Sequence, residues 1–248
     1  MEKIPSIREL RRLCQSTAPN PARESYVGKF ARIFSIYSTR FFILTPFTPN
    51  QITFLSVIVF FTGVTLIGFG GYTLGWFGIF LLFLSIVIDG SDGEVARFKK
   101  NGSVAGTMYV EPVSHDLQYG LMFPLLGIGL YVNGYPAYIL AIASLASISK
   151  LLFRILKTRY WSYANGTLSE EGVEKLKSAF NNQVLYIRVA HWINKEFFSS
   201  TGVFLLILIC YPLRRLDVYL WIYCLGFTVV TCALLTKHIH ALWVSKTI

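Results

Sequence analysis

The chain reads as an all-α, polytopic membrane protein: six transmembrane helices preceded by an N-terminal amphipathic surface helix. Three observations predict this. Of its 248 residues, 54% are hydrophobic, 16% aromatic and only 15% charged, a balance suited to lipid rather than to a water-soluble domain. The 48 residues between Arg40 and Asp89, and the 33 between Asp116 and Lys150, contain no charged side chain, and each run reads as two spans of ~20 residues. Phe197 to Leu213 (17 residues) and Val218 to Thr236 (19) are bounded by Glu196, Arg214, Asp217 and Lys237, and each supplies one more span.

The N-terminal region, residues 1–45, is expected to lie at the interface. Ser6-Ile-Arg-Glu9 has the form of a capping box, followed by Leu10, Leu13 and Cys14 among Arg8, Arg11 and Arg12, which predicts a short basic amphipathic helix on the membrane surface. No uninterrupted apolar stretch with a small-residue cleavage site is seen there, which argues against a removable signal peptide. A second interfacial stretch mixes Lys29, Arg32 and Arg40 with Phe30, Ile33, Phe34, Ile36 and Tyr37.

Residues 46–248 form the membrane domain. Pro46 and Pro49 end the interfacial stretch, and Asn50 is offered as N-cap for a first span over 51–68. Gly68, Gly70 and Gly71 make the turn, and the second span, 72–88, runs without a stop signal into Asp89. The third covers about 107–132 and the fourth continues to about Tyr160. In the loop that follows, Thr167 to Glu170 repeats the capping-box pattern, and Val173, Leu176 and Phe180 recur at helical spacing, with a further segment at 185–193. Cys14, Cys210, Cys224 and Cys232 are scattered and read as small buried hydrophobes.

The net charge of +10 is a topology signal. Eight basic residues precede the first span, three join the second and third, eight join the fourth and fifth, and two follow the sixth, whereas Arg214 and Arg215 alone lie opposite. By the positive-inside rule both termini and the Asp89 to Lys100 segment face the cytoplasm. The basic excess then favours anionic headgroups, and nucleic acid is excluded as a partner.

Five of the 13 acidic residues, Asp89, Asp92, Glu94, Glu111 and Asp116, fall within 28 positions between the second and third spans. Charges at membrane depth are costly and mark functional sites. Asp89 and Asp92 share a helix face at i and i+3, as do Glu111 and His115 at i and i+4. If the two helix ends lie side by side, three carboxylates and an imidazole converge. Such carboxylates repel unless a hard cation intervenes, Mg2+ first and Mn2+ next. Gly90, Gly93, Gly102 and Gly106 permit close approach of a ligand, and Arg97, Lys99 and Lys100 suit a phosphorylated substrate. Lys150, Arg154 and Lys157 fall at i, i+4 and i+7, a candidate grip for the phosphate of an anionic acceptor or a snorkelling anchor. His191, His238, His240, Trp192, Trp221 and Trp243 are assigned no chemistry, the tryptophans reading as interfacial aromatics.

The run from Asp89 through Gly-Ser-Asp92-Gly93-Glu-Val-Ala96-Arg97, then eight residues, then Gly106, resembles the signature of the CDP-alcohol phosphatidyltransferase family, D-x2-D-G-x2-A-R-x8-G-x3-D-x3-D. Thr48-Pro-Asn-Gln-Ile-Thr53 is similar to the usual start of that family's first helix. The resemblance implies a divalent-metal-dependent transfer from a CDP-linked donor to an acceptor hydroxyl, releasing CMP, with one substrate a lipid and the protein a homodimer. It implies Asp89 and Asp92 as metal ligands, and Gly93, Ala96, Arg97 and Gly106 on the nucleotide side.

The signature's last two aspartates would fall at Val110 and Ser114. One position later stand Glu111 and His115, with the spacing of the missing pair kept. One inserted residue rotates a helix by ~100 degrees, and a local widening near Pro112 would absorb it. Glu111 then replaces the third metal ligand and His115 the general base, with Asp116 as competitor. Two other readings stay open. A family member that has lost catalysis would use Glu111 and His115 merely to bond each other. A small transporter would bury its acids near the bilayer midplane between repeated halves, whereas here they sit at one edge and no repeat is seen.

Overall fold

A computed structural model describes residues 5–16, 25–167, 193, 195–199 and 201–245, all of whose regular structure is helical. The predicted elements at Thr167 to Glu170, Val173 to Phe180 and 185–193, with His191 and Trp192, lie almost wholly outside the described residues.

Helix α1 (Ile7–Leu10) opens on the predicted capping box: Ser6 Oγ accepts from the Glu9 amide (3.3 Å) and Glu9 Oε2 from the Ser6 amide (2.7 Å). It continues as a π-helical turn, Arg11–Gln15. Of the predicted apolar stripe, Leu10 and Cys14 are fully buried and pack with Ile36 and Ile43 of α2 (Tyr26–Ile43) and with Phe98, whereas Leu13 is exposed. Arg8 and Arg12 stay exposed. Helix α2 turns Ala31, Ser35, Ile36, Thr39 and Phe42 inward and exposes Phe30, Phe34, Tyr37 and Phe41.

Helices α3 (Pro49–Phe69), α4 (Gly71–Lys99), α6 (Tyr138–Thr167) and α8 (Leu216–Ser245) each hold a segment long and apolar enough to cross a membrane, the pattern of a multi-pass membrane protein. The N-cap of α3 is Thr48, not Asn50. Thr48 and Gln51 form a capping box, with Pro49 in the first turn where its missing N–H costs nothing. Helix α5 (Glu111–Val132) follows a π-helical turn at Gly106–Val110. The predicted fifth span is shortened: the chain bends at Phe198 and Ser199, and α7 occupies only Gly202–Cys210. Nine residues rise about 13 Å, well under the ~30 Å hydrocarbon layer.

Helix α3 is the hub, packing on both α4 and α5, while α6 joins α5 to α8 and α2 lies on α4. Glycine permits close crossings: a Cβ on Gly63 would stand 2.7 Å from the Gly78 carbonyl oxygen, so α3 and α4 meet backbone to backbone. Away from it, Phe123 of α5 packs on Tyr219, Tyr223 and Phe227 of α8. His238 stacks on Tyr160, 4.0 Å between ring centroids, and so ties α8 to α6.

Candidate active site

The last turns of α4 carry the signature. They stand where Asp89 and Asp92 point past the N-terminal half of α3. Asp92 accepts from Thr53 Oγ1 and from the Gly93 amide (2.5 Å), and Asp89 from Ser56 Oγ at 3.4 Å. Thr53 and Ser56 are therefore orienting residues. Sequence reasoning used Thr53 only as part of a helix start, although two hydroxyls three residues apart in an apolar span were a signal.

These carboxylates face a cavity of about 640 Å³. One wall is α4, with Asp89, Asp92, Gly93, Ala96 and Arg97, while Thr107 and Glu111 come from the start of α5 and the turn before it. The α4 and α5 ends thus meet across a cavity while both lean on α3, instead of lying side by side as expected. A third wall comes from α2 and the 195–201 segment, and brings Arg32 and Lys195. Neither was singled out from the sequence, because their place opposite the acids depends on how α2 folds back.

The π-helical turn at Gly106–Val110 is the widening that the displaced motif demands. It absorbs the extra residue immediately before Glu111, so Glu111 reaches the cavity and interacts electrostatically with both Asp89 and His115. His115 lies beside a second, narrow crevice of about 30 Å³, shared with Asp89 and lined by Phe60, Leu82, Met122 and Phe204. Its Nδ1 is 3.3 Å from Gln118 Oε1, so the Glu111–His115 bond expected of a member without catalysis is not what holds the ring. Asp116 pairs with Arg154, which also donates to the Pro112 carbonyl at 3.3 Å. That pair faces α6.

The donor set suits a divalent ion. Asp89, Asp92 and Glu111 repel one another, and a hard cation relieves that repulsion. Among the described residues no group of three or more His, Cys, Asp or Glu side chains is placed to hold a metal ion. Magnesium does not need such a group, since it is held by one or two carboxylates together with substrate phosphates and water.

Gly106 and the Lys150, Arg154 and Lys157 row are not among the residues that line the cavity. Gly106 abuts Asn50, whose Oδ1 would stand 2.8 Å from an added Cβ; what the structure shows for it is packing on α3. The Lys150, Arg154 and Lys157 row is not gathered at the cavity. Lys150 is buried over the rings of Tyr119 and Phe227, both 4.5 Å away, and donates to the Phe198 carbonyl at 2.6 Å. Arg154 is held by Asp116, and Lys157 is exposed.

Glu94, one of the five clustered acids, turns the other way. Only 1% exposed, it accepts from Ser35 Oγ (2.7 Å), Thr39 Oγ1 (2.6 Å) and Gln15 Nε2 (2.9 Å). Arg97 lines the cavity with its Nη atoms over Gly93, and its Nε donates to the Cys14 carbonyl at 2.6 Å.

No curated protein matches the chain in sequence. The CDP-alcohol phosphatidyltransferase family profile matches residues 46–231, most of the chain and the whole of the site just described apart from the α2 wall. That match implies the phosphotransferase enzyme class, and the unbroken Asp89 to Arg97 signature stands at its cavity. The chain belongs to the CDP-alcohol phosphatidyltransferase family.

Proposed function

We propose that the protein transfers a phosphatidyl or phospho-alcohol group from a CDP-linked donor to an acceptor hydroxyl and releases CMP. The observation that carries this is the single cavity shared by Asp89, Asp92, Glu111 and Arg97. Gly93, Ala96 and Arg97 hold the cytidine diphosphate part, where the absence of a side chain at Gly93 lets phosphate approach the guanidinium. A magnesium or manganese ion would be held by carboxylates of the Asp89, Asp92 and Glu111 set together with substrate phosphate and water, and would supply neutralising charge for the diphosphate.

His115, beside Asp89 at the crevice, takes the proton from the acceptor hydroxyl as general base. The acceptor oxygen then bonds the phosphorus distal to the cytidine, and the bond from that phosphorus to the CMP oxygen breaks. The product is a phosphodiester. Arg32 and Lys195 stand where a second anionic group of either substrate would be neutralised. The apolar crevice at Asp89 and His115 opens toward Phe60, Met122 and Phe204, which suits one substrate being a lipid.

We read α5 and the short α7 region as the remaining two crossings, the latter accommodated by local thinning of the bilayer. Six crossings put 21 of the 23 basic residues, both termini and the cavity on the cytoplasmic side. Externally applied thiol reagents are expected to label a cysteine placed near Arg214 and not one near Lys99.

The test is incubation of purified protein with radiolabelled CDP-linked donors and candidate alcohols. Metal-dependent CMP release is expected. Absence of release with every donor, alongside retained CDP binding, would reassign the protein as a CDP-ligand-binding member without catalysis.

A further inference from the structure

An arginine that binds phosphate does so well only when its planar fork is held in place, because its long side chain otherwise samples many rotamers. In this chain that hold comes from outside the family-matched region. The Arg97 Nε donates to the Cys14 carbonyl (2.6 Å), and a Cβ on Gly93 would lie 3.2 Å from Nη1. The Nε is thereby committed to the N-terminal segment, while the Nη atoms stay over Gly93 at the cavity.

The same segment is pinned one residue further on. The Gln15 amide donates both to the Arg32 carbonyl (2.8 Å) and to Glu94 Oε1 (2.9 Å). Glu94 sits three residues before Arg97 on α4, is saturated by Ser35 and Thr39 as well, and attracts the Arg97 guanidinium. Leu10 and Cys14, both buried, anchor the apolar side. A helix of four residues and a π-helical turn is too short to be stable alone, so these ties decide where the Cys14 carbonyl stands.

We propose that residues 6–16 are a strap that positions the nucleotide-binding guanidinium, with Gln15 and Glu94 as positioning residues acting through Arg97. The proposal rests on the reading that Arg97 holds the diphosphate of a cytidine nucleotide.

The test measures equilibrium binding of radiolabelled CDP with Mg2+ to the full chain in lipid nanodiscs, with the thermal midpoint as a check of folding. Gln15→Ala and Glu94→Gln are each expected to weaken CDP binding by about five- to tenfold. Arg97→Lys keeps the charge but loses the planar fork, and is expected to weaken it by a similar or larger factor. In the Arg97→Lys background, Gln15→Ala and Glu94→Gln are expected to add nothing, which general loosening of the fold would not produce. Wild-type affinity in both Gln15→Ala and Glu94→Gln overturns the strap, and so does a loss of equal size in the two backgrounds. Should Gln15→Ala fail to fold, Glu94→Gln, which keeps the size and one acceptor oxygen, gives the same reading. Failure of the wild-type chain to bind CDP would instead overturn the functional reading itself, and Arg97→Lys would then also change nothing.

Discussion

Asp89 and Asp92 on one side of the α4 end, and Glu94 on the other, are separated by at most five residues and are held in opposite ways. Asp92 has one hydroxyl and its neighbouring amide for partners, and Asp89 one hydroxyl at 3.4 Å, with a large cavity in front of both. Glu94 is sealed under α2 with three donors within 3 Å. A carboxylate whose lone pairs are filled by neutral donors contributes to structure. One left short of partners beside other carboxylates is poised for a cation or a proton. Identical chemistry within two helical turns thus divides into function and architecture by the number of donors each group meets.

The sharpest way to break this contrast is to neutralise each kind of acid in turn. Asp92→Asn is expected to lower CMP release by about a thousandfold or more, since it removes charge from the place where the diphosphate must be neutralised. Its thermal midpoint should stay level or rise, because repulsion from Asp89 and Glu111 is relieved. Full activity of Asp92→Asn in the presence of excess chelator would sink the assignment.

The next effect in size is at the base. His115→Ala should reduce turnover by about 10^2- to 10^4-fold. Asp116→Asn should cost far less, because Asp116 is engaged with Arg154 on the α6 side. A reversed order in the rate assay would show that Asp116 swings to the crevice.

Glu94→Ala probes the structural side. Three buried or half-buried donors, on Gln15, Ser35 and Thr39, lose their acceptor, at a cost of about 3 kcal/mol or more. The thermal midpoint should fall by about 10 °C. An unchanged midpoint would erase the distinction drawn between the two faces of α4.

The smallest effect is expected at Thr53. Thr53→Val keeps the shape but removes the hydroxyl that orients Asp92. The rate should drop by about ten- to a hundredfold, as for other groups that orient a ligating side chain. Titration of activity with Mg2+ should show a higher half-saturating concentration; an unchanged value would make the bond incidental.

Several features were legible in the residues alone. The Ser6–Glu9 capping box is a local pattern whose partners lie three residues apart, so no tertiary information is needed to complete it. The widening before Glu111 was legible because the motif's own periodicity failed by one residue, and a helix has few ways of absorbing one residue. The shortness of the fifth helix was not legible because an apolar run does not reveal the bend at Phe198 and Ser199, where the Lys150 ammonium from α6 takes the Phe198 carbonyl.

What the sequence determined by itself is what depends on near neighbours: helical character, the apolar runs, the signature from Asp89 to Arg97, and the uneven distribution of basic residues. Each is a property of spacing along one helix or of composition, and spacing of 3.6 residues fixes which side chains share a face. Only the tertiary structure decided which acids meet the cavity and which are sealed, that Arg32 and Lys195 complete its far wall, and that the Cys14 carbonyl holds Arg97. Those outcomes depend on residues such as Ser56 and Asp89, 33 positions apart, and Cys14 and Arg97, 83 apart, being brought together by packing on α3 and α4. No periodicity encodes such meetings; they follow from the hydrophobic and glycine-lined surfaces that select one arrangement of the helices.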